Sequence, residues 1–95
     1  MLEAAAALVV EHAELEDQLA DPGVHADPGL ARRLGRRYSE LTPVVAAYQE
    51  WTTAQADVGA AAELARDDAS FREELPALEQ VRDEAAERLR RLLVP

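Results

Sequence analysis

A mostly apolar stripe recurs at steps of three and four residues through the middle of the chain for more than thirty residues without losing phase. Its members are Leu30, Leu34, Tyr38, Leu41, Val45, Tyr48, Trp51, Gln55, Val58 and Ala62. This spacing predicts one long amphipathic helix. Because so long a helix exceeds the usual globular range, the stripe also predicts coiled-coil-like packing against neighbouring helices.

Two shorter stripes with the same spacing flank the long one. The first contains Met1, Ala5, Leu8, His12, Leu15 and Leu19, and the last contains Phe71, Leu75, Leu78, Val81 or Arg82, Ala85, Leu89 and Leu92. Two Asp-Pro-Gly triplets, at residues 21–23 and 27–29, and the pair Asp67-Asp68 separate the stripes and are typical of turns and helix caps. The sequence therefore predicts helices at about residues 2–20, 29–66 and 69–93.

These helices define the expected fold. Short connections between them predict an all-α fold, an antiparallel three-helix bundle with coiled-coil-like hairpins around one long central helix. We expect residues 1–95 to form a single helical domain. Because the stripe keeps its phase through Pro43, we favour one bent helix over a second helix that begins there. In this register His12 lies opposite Tyr38, and Trp51 is at least half buried.

Composition and charge exclude several classes of protein. The chain has no Cys, which excludes disulfides and thiolate metal sites. It has no run of eighteen apolar residues and no basic leader, so we expect a cytoplasmic protein with no membrane partner. The net charge of −9 repels phosphate groups, so we expect no DNA partner, and any RNA contact has to be local.

No residues are spaced for catalysis. His12 and His25 are the two imidazoles, and neither has a second ligand at metal-binding spacing. There is no Gly-rich phosphate loop and no nucleophile with a paired base. We therefore expect no enzymatic activity, no cofactor, no metal and no small-molecule substrate. His12 is expected to lie at the edge of the core, bonded to the Tyr38 phenol or to a backbone carbonyl.

One local cluster of charge stands out against the acidic background. Arg32, Arg33, Arg36 and Arg37 lie along one side of the long helix and are called the arginine flank below. They are candidate partner-binding residues, for an RNA phosphate or an acidic protein face. The alternative is pairing within the chain, and the antiparallel register offers Glu14, Glu16 and Asp17 as partners. The sequence leaves both interpretations open.

Four segments together resemble a known family. They are Arg36-Arg37-Tyr38-Ser39-Glu40-Leu41-Thr42-Pro43-Val44-Val45-Ala46-Ala47-Tyr48-Gln49-Glu50-Trp51, Leu15-Glu16-Asp17-Gln18-Leu19-Ala20-Asp21-Pro22, Leu64-Ala65-Arg66-Asp67-Asp68 and Leu92-Leu93-Val94-Pro95. In order and spacing they resemble the amino-terminal helical domain of bacterial class I peptide chain release factors. The last segment and the Tyr48-x-x-Trp51 pair are most similar to the type that reads UAA and UAG.

The resemblance implies a role in translation termination. It implies a ribosome-docking domain whose partners are a stalk-base protein of the large subunit and nearby rRNA. The family's Gly-Gly-Gln loop and the Pro-x-Thr codon-reading tripeptide do not occur in this sequence, so none of their residues carries over. The resemblance therefore implies a fragment of a longer factor.

A different class of protein fits the same periodicity. A free-standing acidic coiled-coil module for protein interaction would show the same stripes and the same charge. The gene sequence after Pro95 separates the two, because a reading frame that continues into Gly-Gly-Gln favours the release factor.

Overall fold

The computed structural model describes residues 2–94, apart from the side chain of Leu2. The helices in this range are α1 (Leu2–Leu19), α2 (Pro22–His25), α3 (Pro28–Leu64) and α4 (Ala69–Leu93). No strand occurs between residues 2 and 94, and the predicted all-α helical bundle is confirmed. Met1, which the spacing placed on the first stripe, lies outside the described residues.

The connection after α1 contains a short helix where the Asp-Pro-Gly triplets predicted only a turn. Asp21 caps this one-turn helix, because its Oδ1 accepts a hydrogen bond from the Gly23 N–H at 2.9 Å. Asp27 then caps α3 in the same way, accepting from the Leu30 N–H at 3.2 Å. Pro28 is the first residue of α3, a position where its missing N–H costs nothing.

The chain divides into two compact units, Met1–Ala46 and Ala47–Pro95. In the first unit, α1 runs antiparallel to the beginning of α3. The contact of Glu11 with Arg37 lies eight residues before the end of α1 and nine residues after the beginning of α3, as two antiparallel helices with a short connection require, and His12 contacts Tyr38 at the same level. Its buried apolar side chains are Ala5, Leu15, Leu41 and Val44.

The second unit is an antiparallel pair formed by the rest of α3 and α4. Arg88 lies 3.4 Å from Glu50, and the Arg72 guanidinium donates to the Ala65 carbonyl at 2.8 Å. The end of α4 therefore lies beside the middle of α3, and the beginning of α4 lies beside the end of α3, which makes the two helices antiparallel. The buried side chains here are Ala47, Ala54, Ala61, Ala65, Ala85 and Leu89.

Alanines at a seven-residue spacing line α3 in the second unit. Ala47, Ala54 and Ala61 are all buried, and we call them the alanine seam. The stripe predicted Gln55 and Ala62 at this level, and both are exposed. Each predicted position lies one residue after the buried alanine, because a step of three residues and a step of four residues from Trp51 or Val58 both fit helical spacing. The spacing left open whether Val81 or Arg82 continues the stripe of α4. Arg82 does so, since its side chain is 27% exposed and Val81 is 52% exposed.

The long helix continues through Pro43 without a break, so the single-helix prediction is correct. It ends at Leu64, two residues earlier than predicted. Trp51 is mostly covered, which confirms the expectation that at least half of its surface is buried. No helix among residues 2–94 has both the length and the apolar character needed to cross a membrane.

Asp68 begins α4 by accepting hydrogen bonds from the Ser70 hydroxyl at 2.7 Å and the Ser70 N–H at 2.9 Å. The hydroxyl, followed by the backbone N–H, lowers the pKa of Asp68 below its usual value, because both bonds favour the carboxylate. Asp68 is thus the cap of α4.

Two leucines on α4 offer a test of the packing in the second unit. Leu89 has 0% of its surface exposed, and Leu92, three residues later, has 46% exposed. We expect Leu89→Ala to lower the free energy of unfolding by about 2–5 kcal/mol, because it leaves a cavity. Leu92→Ala should lower it by less than about 1 kcal/mol. Urea unfolding of both variants measures the difference, and equal losses would contradict this register of α4.

Candidate functional site

The arginine flank occupies the first three turns of α3. All four side chains are exposed. They cover an arc of roughly 140° around the helix, since successive residues turn by about 100°. Arg37 lies at the edge of this arc nearest to α1, and Arg32 and Arg36 lie on the side away from it. The four guanidinium groups therefore meet different surroundings.

Arg37 is held by a carboxylate of α1. Its Nε and Nη2 atoms donate to Glu11 at 2.5 Å and 2.9 Å, a two-bond arrangement that fits the planar guanidinium. The Glu40 carboxylate is farther away, with its Oε2 atom 3.9 Å from Arg37 Nη1. The hydrogen bond from Arg37 holds the pKa of Glu11 below its usual value, and the same bond raises the pKa of Arg37. Both side chains remain in contact with water, with 44% of Arg37 and 38% of Glu11 exposed.

The predicted partners of the arginine flank were wrong. Within residues 2–94, Glu14, Glu16 and Asp17 make no ion pair within 4.0 Å. Glu11 takes the role because it lies four residues before buried Leu15, which puts it at the border of the packed face of α1.

Within residues 2–94, the other three members of the flank make no ion pair. Arg32, Arg33 and Arg36 have no carboxylate within 4.0 Å among the residues that the structure describes. Arg33 folds back toward the start of α3, since its Nη1 lies 3.6 Å from the point where a Cβ on Gly29 would be. Local positive charge is therefore concentrated at these three residues.

His12 of α1 contacts Tyr38 and Thr42, which follow the arginine flank on α3. Its ring stacks on Tyr38 with 4.2 Å between ring centroids and 16° between planes, and its Nε2 lies 3.1 Å from the Thr42 hydroxyl. That hydroxyl donates its hydrogen to the Tyr38 carbonyl at 2.9 Å, so it accepts from His12, and Nε2 carries a proton. The predicted neighbour Tyr38 is confirmed, but the predicted hydrogen-bond partner was wrong.

His25 has a separate structural role in the first turn. Its Nε2 lies 2.6 Å from the Leu19 carbonyl and donates to it, because a carbonyl can only accept. This contact satisfies one of the carbonyls left unpaired at the end of α1. No group of three His, Cys, Asp or Glu side chains in residues 2–94 is arranged to hold a metal ion.

The outer side of α4 presents charge of the opposite sign. A shallow depression there is lined by Pro76, Glu79, Gln80, Asp83, Glu84 and Glu87. A ligand that carries phosphate is repelled by such a surface. Among the described parts of the chain, the arginine flank is the better candidate for contact with an anion.

Comparison with known families matches the PCRF domain to residues 8–95. The chain belongs to the PCRF domain family. Its similarity to curated PCRF proteins extends over its whole length. It is 57% identical over 95 residues to peptide chain release factor 1 of Acidothermus cellulolyticus, covering 100% of this chain and 26% of that protein. It is 50% identical over 95 residues to peptide chain release factor 1 of Streptomyces coelicolor, with the same coverage.

A third PCRF relative is peptide chain release factor 1 of a Mycobacterium species, 52% identical over 89 residues, or 94% of this chain and 25% of the relative. The chain thus spans about a quarter of the length of these relatives. No solved structure matches. The resemblance to release factors, inferred from short segments, is confirmed over the whole sequence.

Two contacts of this PCRF chain were missed by the sequence analysis. Glu11 directly precedes His12 on the apolar stripe, and Thr42 lies four residues after Tyr38 and one before Pro43. Both positions were visible as residues next to the stripe. Which turn of α1 faces them depends on the register, and helical periodicity alone does not fix that.

The lowered pKa of Glu11 gives a pH-dependent test of its pair with Arg37. Near pH 7 we expect Glu11→Gln to lower the free energy of unfolding. In the unfolded chain Glu11 protonates around its ordinary pKa of 4.5, whereas in the folded chain it stays charged to lower pH. The difference in free energy of unfolding between Glu11→Gln and the unchanged chain should therefore disappear as the pH falls from about 4.5 through the lowered pKa of Glu11 in the folded state.

Glu14→Gln is the matched control, because it removes one carboxylate from α1 that makes no ion pair within residues 2–94. Chemical unfolding across the acid range measures both variants against the unchanged chain. A stability gap for Glu11→Gln that stays constant down to pH 2 would contradict the role of the pair.

Proposed function

We propose that the chain is the amino-terminal helical domain of a peptide chain release factor and acts in translation termination. Its identity of 50–57% to proteins named peptide chain release factor 1 is the observation that carries this proposal. Residues 1–95 would form one helical domain that docks on the ribosome. The reaction would be the release of the peptide from peptidyl-tRNA at UAA and UAG codons.

The chain matches only about a quarter of each relative, which supports a docking role for it. About three quarters of each relative lies outside the match. We assign codon reading and hydrolysis to that larger part, since neither Gly-Gly-Gln nor Pro-x-Thr occurs in this sequence. We assign attachment to the large subunit, at a stalk-base protein and nearby rRNA, to the present domain. The site of action would be the cytoplasm.

The arginine flank is the proposed contact surface. Arg32, Arg33 and Arg36 are exposed and have no carboxylate within 4.0 Å in residues 2–94, so their charge is available to an anionic partner. Arg37 is less available because Glu11 already binds it with two hydrogen bonds. Attraction between this flank and phosphate would act at close range, since the chain as a whole carries −9.

A chimaeric factor tests this function. The 95 residues replace the segment they match in release factor 1 of Acidothermus cellulolyticus. We expect the chimaera to release peptide from ribosomes programmed with UAA. Reversal of Arg32, Arg33 and Arg36 to Glu should weaken its association with ribosomes, and the loss should shrink as salt rises, because phosphate contacts are screened.

Reversal of Arg66, Arg90 and Arg91 to Glu is the control. Each of these exposed arginines is paired with a carboxylate three or four residues away in the sequence, and the change in net charge is the same. Equal losses in the two triple variants would show that net charge is responsible and not the flank. A chimaera that folds but never supports release would refute the proposed function.

The 95-residue chain by itself gives a second test. We expect it to release no peptide from ribosomes programmed with a stop codon. The measurement is hydrolysis of labelled peptidyl-tRNA, with the intact relative as the positive control. Release by the chain alone would overturn the division of roles between docking and hydrolysis.

A further inference from the structure

Gly35 has no structural reason to be glycine. It lies inside α3, where glycine weakens a helix relative to alanine, and no glycine among residues 2–94 has positive φ. Outside its own helical turn, no heavy atom of the described chain lies within 4 Å of the point where a Cβ would be. Neither backbone conformation nor close packing therefore requires glycine here, and the missing side chain leaves the helix surface open beside its neighbours.

Gly35 lies beside Arg32 and Arg36, two members of the arginine flank that make no ion pair within residues 2–94. Arg32 and Ser39 lie three residues before and four residues after it, and Arg36 follows it directly, so the four residues share one side of α3. We call this surface the bare face. Arg32 and Arg36 are about 6 Å apart along the helix axis and have no carboxylate within 4.0 Å in residues 2–94. Ser39 is exposed beside them.

We propose that the bare face is a close-approach site for the phosphodiester backbone of an RNA strand. Without a side chain at Gly35, a phosphate can come close to the helix surface between the two guanidinium groups. Arginine and serine are residue types that bind phosphate oxygens and position a nucleic acid without reading its sequence. This inference rests on the proposed function, because it names the chemistry of the partner at the docking surface.

The composition of the bare face favours RNA over a protein partner. The buried core of a protein interface is mostly apolar, whereas a nucleic-acid backbone is bound by charged and polar groups. Arg32, Gly35, Arg36 and Ser39 include no aromatic or aliphatic side chain, and they carry two positive charges in a chain of −9. Arg37 lies outside this face and serves the contact with Glu11 instead.

A matched pair of glycine variants tests the proposal. Gly59 also lies inside α3 with open space at its Cβ position, but the residues one turn away from it are Gln55, Ala56, Ala62 and Glu63. Neither Gly35→Leu nor Gly59→Leu should lower the melting temperature, because leucine is the better helix former. Gly35→Leu should weaken binding to a protein-free transcript of large-subunit ribosomal RNA about tenfold, as expected for the loss of a charge-assisted hydrogen bond. Gly59→Leu should leave binding unchanged.

Salt dependence gives a second measurement on the same RNA. Arg32→Gln and Arg36→Gln should each reduce the slope of log binding constant against log salt by about one, as expected when one phosphate contact is lost. Gly35→Ala repeats the test with a smaller side chain, should Gly35→Leu disturb the helix. Circular dichroism of every variant confirms that the helices are intact.

The outcomes separate the two proposals. If whole ribosomes bind the chain but the protein-free RNA does not, or if both leucine variants bind equally well, the bare face does not hold RNA and the docking function stands with a protein partner. If the RNA binds and Gly35→Leu alone weakens it, the bare face is an RNA site. If this result is accompanied by a chimaera that supports no release, the RNA site stands and the proposed function falls.

Discussion

The stack of His12 on Tyr38 sets the register of the first unit, and the charge pattern of α3 follows from it. With the rings in contact, the Thr42 hydroxyl accepts a hydrogen bond from His12 Nε2, and Glu11 reaches Arg37. A shift of α1 by one turn would bring a different carboxylate to the flank. The same packing that orders the hairpin therefore decides which arginine is neutralised and which remain open to a partner.

Much of the fold could be predicted because its signals are local. Asp27 and Pro28 mark the start of α3, and Asp68 marks the start of α4, through backbone preferences that do not depend on distant contacts. The apolar spacing identified Leu15, Leu41, Ala85 and Leu89, all of which are buried. A continuous helix through Pro43 also followed from the phase of the stripe.

The errors share one physical origin, which is that periodicity along one helix does not fix its alignment with a second helix. Gln55 was placed on the packed face, but Ala54 occupies it, since steps of three and of four residues from Trp51 both fit helical spacing. Glu14 was offered to the arginines, but Glu11 holds Arg37. The glycine at position 35 was visible in the sequence, whereas the open space beside it depends on the positions of neighbouring helices.

The alanine seam has a consequence for how the second unit tolerates change. A methyl side chain loses no rotamer freedom on folding and allows two helix backbones to approach closely. Ala47, Ala54 and Ala61 are buried, and a methyl group has no other rotamer that would make room for a larger side chain at a neighbouring position. Extra volume at one of them would act as a wedge and separate the helices over several turns. The three alanines of the seam therefore set together the distance between α4 and the second half of α3. Among relatives, we expect the sequence to diverge most slowly at these positions.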